Sequence, residues 1–232
     1  MKLSVIMPVY NERETVRAVL DQVQAVPVEK EIIIVDNFST DGTREILAGL
    51  SAGNVRVVLQ PQNFFKGTSV RKGIELAAGE YTIIQDADLE YDPQDYLSLL
   101  ETAEREQAAA VFGSRVLGQR RDGGRGRGFL DTGNRALSRL LVLLYGVRLT
   151  DIATCYKLVR SDVLKALPLR CRSFDLDFEL AAKLSKRARR GDRVCEIPIA
   201  YHPRTRAEGK KLRWFQDGLA AAWTLIRFRF VD

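Results

Sequence analysis

The sequence has few residues of the kinds that build disulfide or zinc frameworks. Its three cysteines, Cys155, Cys171 and Cys195, are odd in number and far apart, and His202 is its single histidine. Neither a disulfide framework nor a zinc-ligand spacing is present, which favours a reducing compartment. No apolar run reaches the roughly 18 residues of a membrane-spanning helix. The opening MKLSVIMPVY turns polar too early for a signal peptide, so we expect none.

The composition is that of a folded, basic protein. Of the 232 residues, 46% are hydrophobic, which is enough for a real core and argues against global disorder. Lysine and arginine number 36 against 30 acidic residues, a formal charge of +6. This excess predicts an anionic partner, which could be a nucleotide, a phospholipid or a nucleic acid.

Strand-like and helix-like segments alternate along the chain. Apolar runs predict strands at residues 3–10, 31–36, 55–60, 81–85, 109–114 and 194–201. Helical spacing and capping signals predict helices at 12–26, 43–50, 67–79 (closed by Gly79), 93–107, 132–145 and 177–190, with a last helix near the end. This order predicts an α/β fold, in which a mostly parallel sheet carries helices on both faces.

The second half looks like an elaboration of the same domain, because neither a repeat nor a linker is visible. Residues 118–128, GQRRDGGRGRG, read as a flexible basic loop. The loop could be merely solvated, could bind RNA although it lacks interleaved aromatic residues, or could close over an anionic substrate. Residues 151–160 read as irregular.

Acidic residues follow the predicted strand at 81–85. Asp86, Asp88 and Glu90 alternate, and in an extended chain alternate side chains share one side. Ligands collect at the carboxyl ends of parallel strands, where Asp36 also lies. Hard oxygen ligands suit Mg²⁺ or Mn²⁺. An EF-hand is excluded because Tyr91 stands where its loop needs glycine. Asp92 is better explained as a solvated acidic residue near the N-terminus of the next helix, where negative charge is favoured.

Several motifs, in order, resemble those of family 2 glycosyltransferases with the GT-A fold. They are VIMPVYNE, IIIVDNFSTDGT and QDADLEYDP. Three later segments, TCYKLVR, EIPIAYHPRTRAEGKK and WFQDGLAAAWTLIRFRF, resemble the branch that transfers mannose or glucose to dolichyl or polyprenyl phosphate. The resemblance covers nearly the whole chain. It implies a Rossmann-like GT-A domain over residues 1–232, with a nucleotide-sugar half at 1–115 and an acceptor half at 116–232.

The resemblance implies a donor site for a nucleotide sugar and a divalent cation, Mg²⁺ or Mn²⁺. The implied nucleotide-sugar residues are Pro8, Tyr10, Glu12, Asp36, Lys66, Asp86 and Ala87. The implied metal ligands are Asp86, Asp88 and Glu90. Two positions depart from the family pattern. Glu90 stands where the polyprenyl branch often has glutamine, and Asn37 replaces a common second aspartate.

The resemblance also implies an acceptor site. Residues expected at the acceptor phosphate are Arg115, Arg135, Arg204 and Lys210, and the expected catalytic residues are Asp88, Arg115, Arg204 and Asp177. A phosphate acceptor is already mostly ionised at pH 7, since its second pKa is about 6, and therefore needs no general base. Family membership implies a single inversion at the anomeric carbon. Three alternatives stay open: a hydroxyl acceptor with Asp177 or Glu179 as base, an inactive sugar-nucleotide-binding module, and a nucleic-acid-binding protein.

The last predicted helix is apolar and basic. Trp214, Phe215, Leu219, Ala222, Trp223 and Ile226 recur at roughly helical spacing. This face could pack on the core, or it could lie in a membrane interface with Arg213, Arg227 and Arg229 toward anionic lipid. A lipid-linked acceptor favours peripheral attachment to the cytoplasmic face of a membrane.

Overall fold

The computed structural model describes residues 1–50, 53–122, 129–204 and 214–231, with the side chains of all these except 129–131 and 214–217. Its strands form one seven-stranded sheet with the order β3-β2-β1-β4-β6-β5-β7. The strands are β1 (Leu3–Val9), β2 (Lys30–Asp36), β3 (Val55–Leu59), β4 (Tyr81–Ile84), β5 (Ala110–Ser114), β6 (Lys157–Arg160) and β7 (Val194–Pro198). Only β6 runs antiparallel to its neighbours in the described sheet.

Helices connect the strands and cover the sheet. They are α1 (Val16–Ala25), α2 (Thr43–Ala48), α3 (Lys66–Leu76), α4 (Asp95–Arg105), α5 (Arg115–Arg121), α6 (Phe129–Tyr145), α7 (Ser161–Ala166), α8 (Leu176–Ala188) and α9 (Trp214–Phe230). The predicted α/β fold with a mostly parallel sheet is therefore confirmed.

The central strands are apolar at successive positions because both of their faces are buried. In β2, Ile32 and Ile34 join the main core, which includes the apolar side of α1. Ile33 and Val35 point to the other face, where they pack with Ala77 and Leu76 at the end of α3. Helices on both faces thus explain a strand without polar alternation.

Three predictions of local structure are wrong. Residues 151–160 are not all irregular, because residues 157–160 form β6 between β4 and β5. The basic loop predicted from Gly118 starts later, since α5 continues to Arg121. Gly79 does not close α3, which ends at Leu76. It is instead required by close packing, because a Cβ there would lie 2.6 Å from the Ser4 backbone nitrogen.

The terminal helix α9 has two apolar faces. Ala221, Leu225 and Phe228 are buried, and Leu225 accepts a 2.7 Å hydrogen bond at its carbonyl from the Tyr145 hydroxyl of α6. The opposite face exposes large side chains: Leu219 by 59%, Trp223 by 64%, Ile226 by 38% and Phe230 by 79%. We call these four residues the outer stripe. The helix therefore packs on the core with one face and leaves an apolar stripe on the other.

Candidate active site

The candidate site lies at the carboxyl ends of β1, β2 and β4. The loops after β1 and β2 are joined by Asn11, whose backbone has a left-handed φ of 52°. Its amide nitrogen donates to Ser39 Oγ at 2.9 Å, and its side-chain oxygen accepts from the Thr40 amide at 2.8 Å. Asparagine tolerates this conformation better than most residues, which explains its place in the PVYNE motif.

Asp36 is fully buried at the end of β2. Its carboxylate accepts hydrogen bonds from the amides of Phe38 and Ser39 and lies 3.2 Å from Arg44 Nη1. Asn37 holds the next loop, because it donates to Asn63 Oδ1 at 2.7 Å and accepts from the Phe64 amide at 2.8 Å. The asparagine that departs from the family pattern thus connects β2 to the segment before α3.

The other residues expected at the nucleotide surround the same edge. Pro8 is half-buried on β1, and Tyr10 is exposed at its end. Ala87 is buried, and its carbonyl accepts a 2.6 Å hydrogen bond from Thr15 Oγ1. The same hydroxyl also lies 3.1 Å from Glu12 Oε2. Thr15, at the start of α1, therefore holds Glu12 beside the D-x-D segment.

Asp86 and Asp177 belong to a row of alternating charges. Lys66 Nζ lies 2.6 Å from Asp86 and 4.0 Å from Asp177, whose other oxygen lies 2.8 Å from Lys157 Nζ. Burial disfavours the charge on Lys66, but Asp86 and the other neighbouring acids outweigh it and raise its pKa well above the ordinary value. Sequence reasoning placed Lys66 and Asp177 at the candidate site. It missed Lys157, the fully buried lysine that forms an ion pair with Asp177.

Asp88 and Glu12 share a different cation. Arg204 Nη2 lies 3.0 Å from Glu12 Oε2 and 3.9 Å from Asp88 Oδ2. The Arg204 Nε group also donates to the Asp88 carbonyl at 3.0 Å. Two carboxylates on different loops thus converge on one guanidinium.

Glu90 faces the segment that carries Arg204. Its carboxylate accepts from the Arg204 amide at 2.8 Å and from the Tyr201 hydroxyl at 2.9 Å. Its carbonyl accepts from the His202 amide at 2.8 Å. Glu90 therefore fixes the backbone of this segment.

The three carboxylates expected around one metal ion thus face three different groups, two of which belong to Arg204. The backbone explains why, since Leu89 has a left-handed φ of 53° and the chain is not extended from 86 to 90. Asp86 faces Lys66, Asp88 faces Arg204, and Glu90 faces the amide of Arg204. Within the described residues, no group of three or more histidine, cysteine, aspartate or glutamate side chains has metal-binding geometry. One oxygen of Glu12 and one of Asp88 nevertheless lie within 4 Å of the same cationic nitrogen, so this pair has the donor chemistry to hold a hard cation together with phosphate oxygens and water.

Arg115 lies next to the site, at the start of α5. It forms a bidentate ion pair with Asp151, at 2.7 Å from Nε to Oδ2 and 2.8 Å from Nη2 to Oδ1. Its guanidinium also lies over the Tyr201 ring, 5.0 Å from the centroid. The carboxylate of Glu196, on β7, holds the segment that carries Asp151, because it accepts hydrogen bonds from the amides of Thr150 and Asp151. Asp151 was missed from the sequence, where it appeared as part of an irregular segment.

The remaining residues expected at the acceptor are less central. Arg135 is exposed on α6, one residue after Asn134, which donates to Asp151 Oδ1 at 2.9 Å. Lys210 lies outside the described residues. Glu179, the other candidate base, is fully buried, where it accepts from the amides of Arg170 and Cys171.

A buried polar cluster lies beneath the D-x-D segment. Gln85 Oε1 accepts from the hydroxyls of Tyr96 and Tyr156, and its Nε2 donates to the Asp86 carbonyl at 2.9 Å. Cys155 donates through Sγ to the Ile84 carbonyl at 3.3 Å. Burial, together with the nearby Asp86, raises the pKa of the Cys155 thiol well above its ordinary value, so the thiol stays protonated. These residues fix the floor of the site and were also missed from the sequence.

A family model described as glycosyl transferase family 2 matches residues 4–167, which is more than half of the chain. The chain belongs to glycosyl transferase family 2. The family predicted from the sequence motifs, and with it the class of enzyme, is confirmed.

Two curated relatives of this family 2 glycosyltransferase carry informative names. A low-salt glycan biosynthesis hexosyltransferase from Haloferax volcanii is 29% identical over 235 residues, covering 99% of this chain and 53% of the relative. An undecaprenyl-phosphate 4-deoxy-4-formamido-L-arabinose transferase from Aeromonas hydrophila is 26% identical over 215 residues, covering 90% of this chain and 62% of the relative. The chain thus spans between half and two thirds of the length of these relatives.

Solved structures share the fold of this glycosyltransferase at low identity. Glucosyl-3-phosphoglycerate synthase from Mycobacterium tuberculosis, in complex with Mn²⁺, uridine diphosphate and phosphoglyceric acid, superposes with a TM-score of 0.73 at 20% identity and covers 100% of this chain and 79% of that chain. Mannosyl-3-phosphoglycerate synthase from Rubrobacter xylanophilus gives a TM-score of 0.72 at 16% identity, covering 99% and 73%. At these identities the comparison establishes the GT-A fold alone, which confirms the fold predicted for the chain.

Proposed function

We propose that the chain is an inverting, metal-dependent hexosyltransferase that moves a hexose from a nucleoside-diphosphate sugar to a polyprenyl phosphate. The observation that carries the proposal is the convergence of Glu12 and Asp88 on one cationic nitrogen at the carboxyl edge of the sheet. A family 2 fold supports a nucleotide-sugar donor at this edge, and the names of the curated relatives support a lipid-phosphate acceptor.

The chain's own residues have distinct roles in the proposed donor site. Asp88, with Glu12 beside it, would hold Mg²⁺ or Mn²⁺, which would neutralise charge on the departing diphosphate. Lys66 is held by Asp86 at the start of α3, where a cation and the amides of a helix terminus both favour phosphate. Pro8, Tyr10 and Asp36 line the part of the edge that we assign to the base and ribose.

The acceptor side is dominated by arginine. Arg204 and Arg115 lie on neighbouring segments, and guanidinium groups position phosphate by paired hydrogen bonds. We assign both to the acceptor phosphate, together with Arg135 and Lys210. A phosphate dianion attacks without surrendering a proton, so the reaction needs no enzymic base. In this scheme Asp177 fixes Lys157 and Lys66 and does not accept a proton.

A hydroxyl acceptor is the second candidate. It is favoured by the position of Asp177 at the same edge, 4.0 Å from Lys66. A hydroxyl would require a general base, and Asp177 is the candidate because Glu179 is buried against the backbone of residues 170 and 171.

We also propose that the enzyme attaches peripherally to the cytoplasmic face of a membrane. The outer stripe of α9 exposes apolar side chains, and Arg227 lies exposed beside it. The neighbouring helix α6 exposes Arg139 and Leu143. An apolar surface with interspersed arginines suits the headgroup region of an anionic membrane. In the described part of the chain, no helix is long and apolar enough to cross a membrane.

The direct test is an assay of purified protein with a panel of UDP- and GDP-sugars and a short polyprenyl phosphate, scored for lipid-linked product. Sugar hydroxyl acceptors form a parallel panel, and Asp88→Asn is the matched control because it removes one charge at constant size. We expect product only with polyprenyl phosphate and only with Mg²⁺ or Mn²⁺. Transfer to hydroxyl acceptors alone would contradict the proposed acceptor, and full activity in EDTA would contradict the metal.

A further inference from the structure

The ion pairs of Arg204 hold a cation where a divalent metal ion would be expected. Its Nη2 lies between Glu12 Oε2 and Asp88 Oδ2, at 3.0 and 3.9 Å. The side chains of Arg204, Glu12 and Asp88 are 14%, 15% and 22% exposed. At this burial their interactions are screened less by salt than those of surface pairs. The Arg204 guanidinium therefore competes with a divalent cation for the carboxylate oxygens of Glu12 and Asp88.

The backbone of Arg204 is anchored separately from its side chain. The Arg204 amide donates to Glu90 Oε1 at 2.8 Å, and the Tyr201 hydroxyl donates to Glu90 Oε2 at 2.9 Å. Tyr91 and Tyr201 also form a β-bridge that joins the two segments. The guanidinium can therefore leave the carboxylates by side-chain rotation while the backbone stays in place.

We propose that Glu12 and Asp88 form a cation site that Arg204 occupies in the donor-free protein, and that Glu90 is the positioning residue that keeps Arg204 there. Binding of the donor with its divalent cation displaces the guanidinium, which then faces the phosphates. The inference rests on the proposed function in one respect, that the displacing cation is the one bound with the donor. Glu12 is then a ligand of the cation, whereas Glu90 positions Arg204 and does not ligate the cation.

The first test measures Mn²⁺ binding to the full chain without nucleotide, using the electron paramagnetic resonance signal of free Mn²⁺. Arg204→Gln removes the competing cation, so we expect Mn²⁺ to bind at least about fivefold more tightly, the low end of typical coupling between two binding events. Arg17→Gln is the matched control, because Arg17 is exposed on α1. It should change the affinity less than about twofold, since exposed charges are screened. Equal or weaker Mn²⁺ binding by Arg204→Gln would overturn the inference.

The second test examines Glu12. Glu12→Gln should weaken Mn²⁺ binding by about tenfold or more, as expected for loss of a charged ligand in a partly buried site. Glu14→Gln, an equal loss of charge at an exposed position two residues away, should change it less than about twofold. If the two variants weaken binding equally, Glu12 does not contact the cation and the inference fails.

The third test separates positioning from ligation at Glu90. Glu90→Gln and Glu90→Ala lose the same charge, but the amide oxygen of glutamine can still accept from the Arg204 amide. If Glu90 positions Arg204, the alanine variant should bind Mn²⁺ at least about threefold more tightly than the glutamine variant, within the usual range of coupling between contacting residues. If Glu90 ligates the metal, alanine should bind equally or more weakly, which would overturn its assignment. Arg204→Lys retains a positive charge at this position, so it should bind Mn²⁺ less tightly than Arg204→Gln.

These titrations do not depend on sugar transfer. Protein that shows the expected Mn²⁺ affinities but transfers no sugar would retain the cation site while the proposed function fails. The opposite result is also distinct. If the wild type transfers sugar to polyprenyl phosphate but folded Arg204→Gln binds Mn²⁺ with the wild-type affinity, the function is retained while this inference fails.

Discussion

Arg115 and Asp151 form a bidentate ion pair in which the carboxylate is completely buried and the arginine side chain is 19% exposed. The pair joins the first residue of α5 to the segment that precedes β6. Burial alone would raise the pKa of Asp151, but Arg115 outweighs it and lowers the pKa below its ordinary value. Arg115 thus keeps the Asp151 carboxylate ionised, which gives Arg115 a structural role besides any contact with phosphate.

Replacement of Arg115 should destabilise the fold. Arg115→Gln leaves the Asp151 carboxylate buried without its cation, which typically costs about 3–5 kcal/mol. Urea unfolding of the wild type and the variant measures this loss. The double variant Arg115→Gln with Asp151→Asn should recover part of it, because no charge is then left unpaired. A double variant that is as unstable as the sum of the two single variants would show that the pair is not coupled.

The same pair predicts a dependence of stability on pH. Because the pKa of Asp151 is lower in the folded protein, its stabilisation is fully present above the unfolded value of about 3.9 and is lost as the pH falls through the lower folded value. Below about pH 4 the free energy of unfolding should therefore fall more steeply for the wild type than for Asp151→Asn. Urea midpoints from mildly acidic pH down to the acid limit of folding would test this. Parallel curves for the two proteins would contradict the assigned shift.

Asp177 and Arg204 distinguish a phosphate acceptor from a hydroxyl acceptor. Arg204→Ala should lower the rate of transfer about 30- to 1,000-fold, by analogy with the loss of an oxyanion donor worth about 2–4 kcal/mol. Asp177→Asn should lower it by less than about tenfold, because an ionised phosphate needs no base. The wild-type rate should follow the second ionisation of the acceptor phosphate, which lies at about pH 6.

The stability of the Asp177 variant must be measured beside its rate. The substitution leaves Lys157, which is fully buried, without its carboxylate partner at 2.8 Å, and the expected cost is about 3 kcal/mol. Rates are therefore compared at a temperature where circular dichroism shows both variants folded. Loss of all turnover in folded Asp177→Asn, with Arg204→Ala near the wild type, would indicate a hydroxyl acceptor and an enzymic base.

The two faces of α9 predict opposite effects of substitution. Leu219→Ser with Trp223→Ser changes exposed positions of the outer stripe, so the fold should remain stable while binding to anionic vesicles falls at least about tenfold. Leu225→Ala changes a fully buried position and should cost about 2–5 kcal/mol of stability. Vesicle flotation and urea unfolding measure the two quantities. Absence of flotation for the wild type at low salt would exclude the stripe as a membrane surface.

Two helical glycines provide a matched test of packing. A Cβ at Gly118 would overlap the Ile199 carbonyl oxygen, so Gly118→Ala should push α5 away from the end of β7 and cost about 1–3 kcal/mol. Among the residues that the structure describes, none has an atom within 4 Å of the same position at Gly133 on α6. Gly133→Ala should therefore leave stability unchanged or raise it by up to about 1 kcal/mol through helix propensity. Similar thermal shifts in both variants would contradict the packing explanation.

Much of the first half of the chain could be predicted from the sequence because its signals are local. The apolar runs of β1 and β2 are buried on both faces. Asp36 ends β2 and Asp86 lies two residues beyond the end of β4, so both the sheet and the edge that carries the candidate site follow from the pattern. The resemblance of three ordered motifs then identified the family.

The parts that were missed depend on partners far away in the chain. β6 begins with Lys157, whose charge argues against a buried strand until Asp177 is seen beside it. Leu89 adopts a left-handed backbone that leucine rarely favours, and this changes the direction of the acidic side chains around it. The outer stripe and the buried face of α9 are both apolar, so periodicity alone could not assign either one to the core.

The position of β6 has a consequence for synthesis of the protein. Residues 157–160 pair with both β4 and β5, which are therefore not neighbours in the finished sheet. A ribosome adds about 5–20 residues per second, so the first five strands are made several seconds before the strand that joins them. During this interval β4 and β5 both present unpaired edges, which are sites of aggregation in nascent chains. We expect a nascent chain arrested before residue 157 to bind a general chaperone more strongly than one arrested after residue 201.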